Sequence, residues 1–502
     1  MPDIRFIYCI MLLAFVPCAL HAGQPSAESM RRAAERQART SALKSIPETR
    51  RKALSPAADA LAATAAWLIG LNAKPETEKV IAELAATDEQ HAKLEGLKKS
   101  TAEIAAPAAL DDAKQKEILT KLKAAQKLRG AALADFARNL NNVGLYGNAF
   151  DALTQALEAD PDNAAARQAL GHMKTPTVWS DAFSAAQMQK GLTYVAELGW
   201  VPTPAAERTG KGEWFDNNRW MPMADADKLH AENANAWVIE TAHFTIKSTA
   251  PRKEAIQIAE QLESLRKVCY REFIDFFVRG SDKRGQMFFA HAAPKKMLVN
   301  YYGARGDYEA VIRKEFKGPI QMLLMQLPGA YFPQSKTSYF SLRDQPPIYI
   351  YFMYNQVIKQ VLFEYAQFTA TEPRPWATEG LCQVAQFSKL EGNTFTPLHG
   401  KSHPCFSNAN TLAQGNGLPS LATLLTLPRE LFEGELRELH ANASGGLALF
   451  LLEGKDRAMA KDFLEYVYDS FKQKTAVLGD YTGLEGPGLE KEFLLFLAGA
   501  KP

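Results

Sequence analysis

The chain has 502 residues, 58 Lys and Arg against 56 Asp and Glu, a formal net charge of +2 and 47% hydrophobic residues. Nothing in so balanced a charge suggests nucleic acid or a strongly acidic partner. A chain of this length buries more than one core and is expected to divide into two or three domains.

Residues 1–22 open with one basic residue, Arg5, run apolar from Phe6 to Leu20 and end in small residues at Ala22. That is the pattern of a cleaved secretory signal peptide. The stretch is shorter than the roughly 20 apolar residues a bilayer span needs and contains Pro17, so an uncleaved anchor is not expected. Residues Phe15-Val16-Pro17 make a poor approach to Cys18 for lipidation. With no other segment read as a membrane span, the mature protein is expected free in an exported compartment, periplasmic or extracellular. Cleavage removes Cys9 and Cys18 and leaves Cys269, Cys382 and Cys405, which admit one bridge at most and fix no pairing.

Residues 23–175 are rich in Ala, Lys, Glu and Leu and poor in β-branched and aromatic types, which predicts helices throughout. The stretch Leu140–Gly171 resembles a tetratricopeptide unit: Gly144, Ala149 and Ala156 are small enough for close helix packing, and Asp160-Pro161-Asp162-Asn163 supplies a turn and a cap. One such unit cannot bury its apolar face alone. It is read either as a spacer or as part of a surface for a peptide or protein partner.

Residues 176–235 change character. Trp200, Trp214 and Trp220 sit among turn formers, predicting a small β-rich connector whose tryptophans form its core. Residues 236–502 mix both element types: a strand over Trp237–Ser248, a long helix over Arg252–Phe277, a strand over Lys296–Tyr302, a helix opening near Asp307, a short strand over Ile348–Phe352 and a helical tail from Leu418. The fold class expected is therefore multi-domain, with an all-α tetratricopeptide-like N-terminal half, a β-rich connector and an α+β C-terminal domain.

The order of His243-Phe244, Tyr302, Asp307-Tyr308, Gly329-Ala330-Tyr331-Phe332-Pro333, Ser338-Tyr339-Phe340 and Trp376-Ala377-Thr378-Glu379-Gly380-Leu381 resembles an exported bacterial peptidase-MA-like family of gluzincin type. The resemblance covers residues 236–502 and implies a metallopeptidase-like fold. In such a family, two histidines of an H-E-x-x-H helix and the glutamate of W-x-x-E-G bind zinc, and the helix glutamate activates water. Here Glu379 keeps its place in the second motif, but the first motif is absent.

About 20 residues before Glu379, Asn355 and Lys359 stand where the histidines would, and Gln356 stands where the base would. A second register keeps Glu364 but puts Phe363 and Gln367 at the ligand positions and lies too close to Glu379. Asn is a poor zinc ligand, a Lys ammonium repels the cation, and Gln cannot take a proton from water. No cofactor is therefore expected. The reading supposes instead that Lys359 pairs with Glu379, neutralising a carboxylate left in the old cleft. A plainer reading makes the same segment an amphipathic helix with a solvated Asn, Gln, Lys and Glu face.

His399 and His403, in a loop read from Gly400 and Pro404, are the remaining weak metal candidates. His243 and His440 read as isolated polar groups. These residues point away from an enzyme and toward a pseudopeptidase that binds peptide or protein partners, or acts as a scaffold, in the cell envelope. The alternatives are a hydrolase with a rearranged site built on Glu379, with zinc as its cofactor, and a purely structural spacer.

Overall fold

The computed structural model describes residues 27–105, 110–176, 178–279, 295–342, 349–368, 374–454, 457–472, 476–484 and 486–499. The proposed leader, residues 1–22, lies outside them. The fold is mostly helical (66%) with small sheets.

The N-terminal half is all-α, as composition predicts: α1 (Ala27–Gly70), α2 (Lys74–Thr87), α3 (Leu94–Ala102), α4 (Asp112–Asn142), α5 (Tyr146–Ala159) and α6 (Ala164–Ala169). The end of α1 buries Leu61, Ala65 and Leu68 against Val80 and Leu84 of α2, Leu94 and Leu97 of α3 and Ile118 of α4. One 18-residue window of α1 reaches a mean hydropathy of 1.2. By length and composition it passes for a span, which corrects the reading that no further segment does. Of that window, 44% is buried inside the fold, so its apolar side chains also serve the helical core.

Helices α4 and α5 pack together over the stretch read as a tetratricopeptide-like unit, with Ala149 and Ala156 fully buried. The Asn163 side chain accepts from Ala166 N and starts α6, the role its position in the turn predicts. Gly144 does not pack helices together; it takes φ +75° in the α4–α5 turn, a conformation that favours glycine.

The connector alternates short hairpins with short helices rather than being β-rich, and it is built as a tandem that the sequence reading missed. After β1 (Met173–Lys174), β2 (Trp179–Ser180) and α7 (Ala182–Gln189) comes a hairpin of β3 (Leu192–Val195) and β4 (Gly199–Pro202), then α8 (Ala206–Gly210). A second hairpin, β5 (Glu213–Asp216) and β6 (Arg219–Pro222), is followed by α9 (Met223–Leu229). The two copies pair Tyr194 with Trp200 and Phe215 with Trp220 across their strands. They bury Val201 and Met221 and close with the same backbone bond, Thr203 N to Gly191 O and Met223 N to Gly212 O. The tryptophans are not its core, being only half-buried. Trp214 meets Trp237 edge-on with centroids 5.2 Å apart, and the Arg252 guanidinium stacks over Trp214 at 4.1 Å.

The C-terminal region is built on a five-stranded sheet of β7 (Trp237–Glu240), β8 (Phe244–Ser248), β9 (Met297–Tyr301), β10 (Gly329–Phe332) and β11 (Thr337–Phe340). Its order is β10-β11-β9-β8-β7. The three central strands run parallel, and both edge strands run antiparallel to their neighbours. The single strand expected over Trp237–Ser248 is thus two, turned at Thr241–His243. Trp237, Ile239, Phe244, Ile246, Met297 and Val299 alternate onto the buried face.

Helices α10 (Arg252–Glu272), α11 (Ile274–Arg279), α12 (Arg305–Glu315) and α13 (Pro319–Leu324) precede α14 (Tyr349–Ala366) and α15 (Pro375–Gln386). The strand expected over Ile348–Phe352 is instead the first turn of α14 from Tyr349 on. A short run of aromatic and β-branched residues does not distinguish a strand from a buried helix. A small hairpin, β12 (Lys389–Glu391) and β13 (Thr394–Thr396), leads into α16 (Pro404–Gln414), α17 (Leu421–Thr426), α18 (Arg429–Phe432), α19 (Arg437–Glu453), α20 (Ala460–Lys472), α21 (Leu478–Thr482) and α22 (Gly486–Leu497). Cys269, Cys382 and Cys405 are buried, and no disulfide joins them.

Helices α1 and α20 meet through charge. Arg36 Nε lies 2.7 Å from Asp462 Oδ2, Arg39 Nη2 2.6 Å from Asp462 Oδ1, and Arg32 Nη1 3.0 Å from Glu465 Oε2. Arg32, Arg36 and Arg39 share one face of α1, and Asp462, Glu465 and Asp469 share one face of α20. Arg279 adds a two-pronged bond to Asp469 at 3.2 and 2.8 Å, and the Arg32 guanidinium lies 4.1 Å from the Tyr481 ring centre.

Candidate functional site

Helix α14 runs between the β10–β11 edge of the sheet and α15. Asn355 and Lys359, one helical turn apart, share the face turned toward α15. Glu379 sits in the first half of α15, whose start is fixed by Pro375 at the first helical position. The structure thus brings Asn355, Gln356, Lys359 and Glu379 together.

All four are buried, with relative exposures of 4%, 8%, 9% and 5%. The solvated-face reading of this helix is therefore wrong. Lys359 Nζ lies 3.9 Å from Glu379 Oε2, at the outer limit of an ion pair. The hydrogen bonds to the carboxylate come from amides: Asn355 Nδ2 at 3.0 Å and Gln383 Nε2 at 2.8 Å, both on Oε1. Gln383 was missed by the sequence reading; its signal was its place one helical turn after Glu379. Gln386 in turn donates to Gln383 at 2.6 Å.

Gln356 donates to Asn355 Oδ1 at 3.2 Å and accepts from Tyr331 N, on edge strand β10, at 3.3 Å. One turn further on, Gln360 accepts from Ser338 Oγ at 2.8 Å and donates to the carbonyls of Leu298 and Lys336. An amide offers both a donor and an acceptor, so a row of amides can close on itself inside a fold.

The W-x-x-E-G residues divide the work. Trp376 is fully buried and stacks on Phe463 and Tyr466 of α20 at 5.9 and 6.0 Å. A Cβ at Gly380 would lie 2.7 Å from Ser444 O and 2.8 Å from Ala448 Cβ, so α15 can approach α19 this closely only with glycine there. Glu379 is held between those two packing positions.

Glu364 stands apart, accepting from Tyr331 OH at 2.9 Å and pairing with Lys336 at 3.4 Å. His403 is buried, with its Nε2 3.0 Å from Val384 O and its Nδ1 accepting from Cys405 N at 3.0 Å. It is the N-cap of α16, and both ring nitrogens are spent on backbone. His399 bonds Glu453 at 2.8 Å, and that bond holds its pKa above the ordinary value. His440 is buried against Phe432 O, and His243 bonds Glu263 at 2.7 Å.

Zinc does not fit these residues. The one carboxylate already takes two amide donors and has an ammonium beside it, and the Asn355 carbonyl is taken by Gln356. Among the described residues no three His, Cys, Asp or Glu side chains gather as a metal-binding group. Compared with known families and curated proteins, the chain matches no family model and no curated sequence.

Proposed function

We propose that the chain is an exported, non-catalytic, metallopeptidase-like protein that binds a peptide or protein partner or acts as a scaffold in the cell envelope. The observation that carries this reading is the Glu379 carboxylate, which is buried and engaged by Asn355, Gln383 and Lys359. A hydrolytic metal site needs three ligands and an open position for water. These residues leave no ligand set, no open position and no base, because Gln356 is an amide. On this proposal the strand–strand–helix–helix order of β10, β11, α14 and α15 is the remnant of a gluzincin-like core.

Partner engagement falls to the outer surfaces, the helical half first, because Gln356 already holds Tyr331 N on the edge strand. Export rests on the sequence pattern of residues 1–22. The test is elemental analysis of tag-free mature protein after dialysis against trace zinc, paired with a casein-hydrolysis assay. The expected result is zinc far below one equivalent and no hydrolysis. Zinc near one equivalent with chelator-sensitive hydrolysis would overturn the reading.

A further inference from the structure

A cavity of about 60 Å³ lies where α1, the α4–α5 turn, α11 and α20 converge. A polar cavity holds water once it exceeds about 10–15 Å³, so this one has room for several waters or one small tetrahedral ion. Donors dominate its walls. Arg39 is 7% exposed, and its Nε is buried with no hydrogen-bond partner, while its Nη2 is committed to Asp462. Lys461 Nζ stands over Gly144, 3.5 Å from where a Cβ would be. Helix α5 begins here with no side-chain cap, and its first-turn residues Gly147 and Asn148 line the same cavity; first-turn N–H groups of a helix have no partner within it.

One wall group accepts. Asp275 Oδ1 is shut off from solvent and has no hydrogen-bond partner. The other cavity carboxylates are engaged: Asp151 by Arg271 at 2.7 Å, and Glu272 by Arg271 and Arg457 at 3.7 and 3.6 Å. A metal cation is disfavoured by the Arg39 and Lys461 charges. An anion with no proton would face a bare carboxylate.

We propose that this cavity is a binding site for hydrogen phosphate, with Arg39, Lys461 and the start of α5 holding its oxygens and Asp275 accepting its O–H. Such a carboxylate selects phosphate over sulfate, because sulfate at neutral pH has no proton to donate and leaves the acceptor unpaired. The site is separate from the Glu379 cluster and does not depend on the function proposed above.

Burial pushes the Asp275 pKa up to about 6; Lys461 and Arg39 oppose the shift, and Glu465 and Asp462 add to it. Arg271 and Glu272 of α10, Asp151 of α5 and Arg457 line the same cavity. Below that pH, Asp275 carries its own proton and can donate to sulfate, so discrimination falls.

The test is isothermal titration calorimetry of the full mature chain in phosphate-free buffer, with sodium phosphate, sodium sulfate and phosphoserine as separate titrants. At neutral pH, phosphate is expected to saturate one site and sulfate to bind roughly tenfold or more weaker. Phosphoserine, at neutral pH largely a dianion with no O–H to donate, is expected to bind no better than sulfate. Asp275→Asn should raise sulfate affinity to that of phosphate, and Lys461→Met should weaken both.

The wild-type comparison needs no variant to fold. No saturable phosphate binding, or equal affinity for the two ions, would overturn the site. Phosphoserine binding as tightly as phosphate would overturn the assignment to the free ion.

Discussion

Two buried polar clusters hold this protein together in different ways. Around Glu379, one carboxylate and one ammonium 3.9 Å apart are surrounded by the amides of Asn355, Gln356 and Gln383. Between α1 and α20, Arg32, Arg36, Arg39 and Arg279 interlock with Asp462, Glu465 and Asp469 at 2.6–3.4 Å, apart from one 4.0 Å approach of Arg32 to Asp469. The first cluster spreads the satisfaction of one charge over neutral donors and closes a site. The second pairs charge with charge and joins segments far apart in the chain. A buried charge is tolerated either way, but the two differ in what a single deletion leaves behind.

The sharpest way to break the comparison is Lys359→Ala. Removing the ammonium beside buried Glu379 should cost roughly 3–5 kcal/mol in urea unfolding, and joint replacement of Lys359 and Glu379 by Met and Leu should recover most of it. An unchanged denaturation midpoint for Lys359→Ala would mean the amides alone carry the carboxylate. In the second cluster, Arg39→Ala should cost less, about 1.5–3 kcal/mol, because Asp462 keeps Arg36. A loss larger than that of Lys359→Ala would reverse the ranking.

Gly380→Ala probes the frame that holds Glu379. Forcing a Cβ against Ser444 O should cost roughly 1–3 kcal/mol by overpacking. The smallest effect is expected from His399→Ala. The bond to Glu453 raises the folded pKa above the ordinary 6.5. Its stabilisation is therefore present below 6.5 and lost as pH rises through the folded value. The variant should melt earlier than wild type in acid and alike in base, and a pH-independent difference would refute that pair.

How far each cluster could be read from sequence follows from spacing. Asn355, Lys359 and Glu379 were legible because one helical period and one short motif place them, and Gln383 follows from the same period once Glu379 is known to be inward. Burial of that face was not legible: Tyr354, Val357, Ile358 and Val361 give helical spacing, and Asn, Gln and Lys interleave with them as a solvated stripe would. Only packing between β10–β11 and α15 removes the water. The α1–α20 cluster was invisible for a different reason, since nothing local tells Arg39 that it will meet Asp462. The connector tandem was within reach, because Lys190-Gly191 and Lys211-Gly212 repeat the same hairpin-and-helix unit.

On the proposed function, Asn355, Lys359 and Glu379 stand at the positions of three metal ligands, filled by other chemistry. Zinc binding by the Asn355→His/Lys359→His double variant tests it most directly, read by elemental analysis with circular dichroism confirming unchanged helix content. The account predicts close to one equivalent of zinc, absent from wild type and abolished by adding Glu379→Ala. A folded double variant that takes up no zinc, or keeps it without Glu379, would contradict the claim.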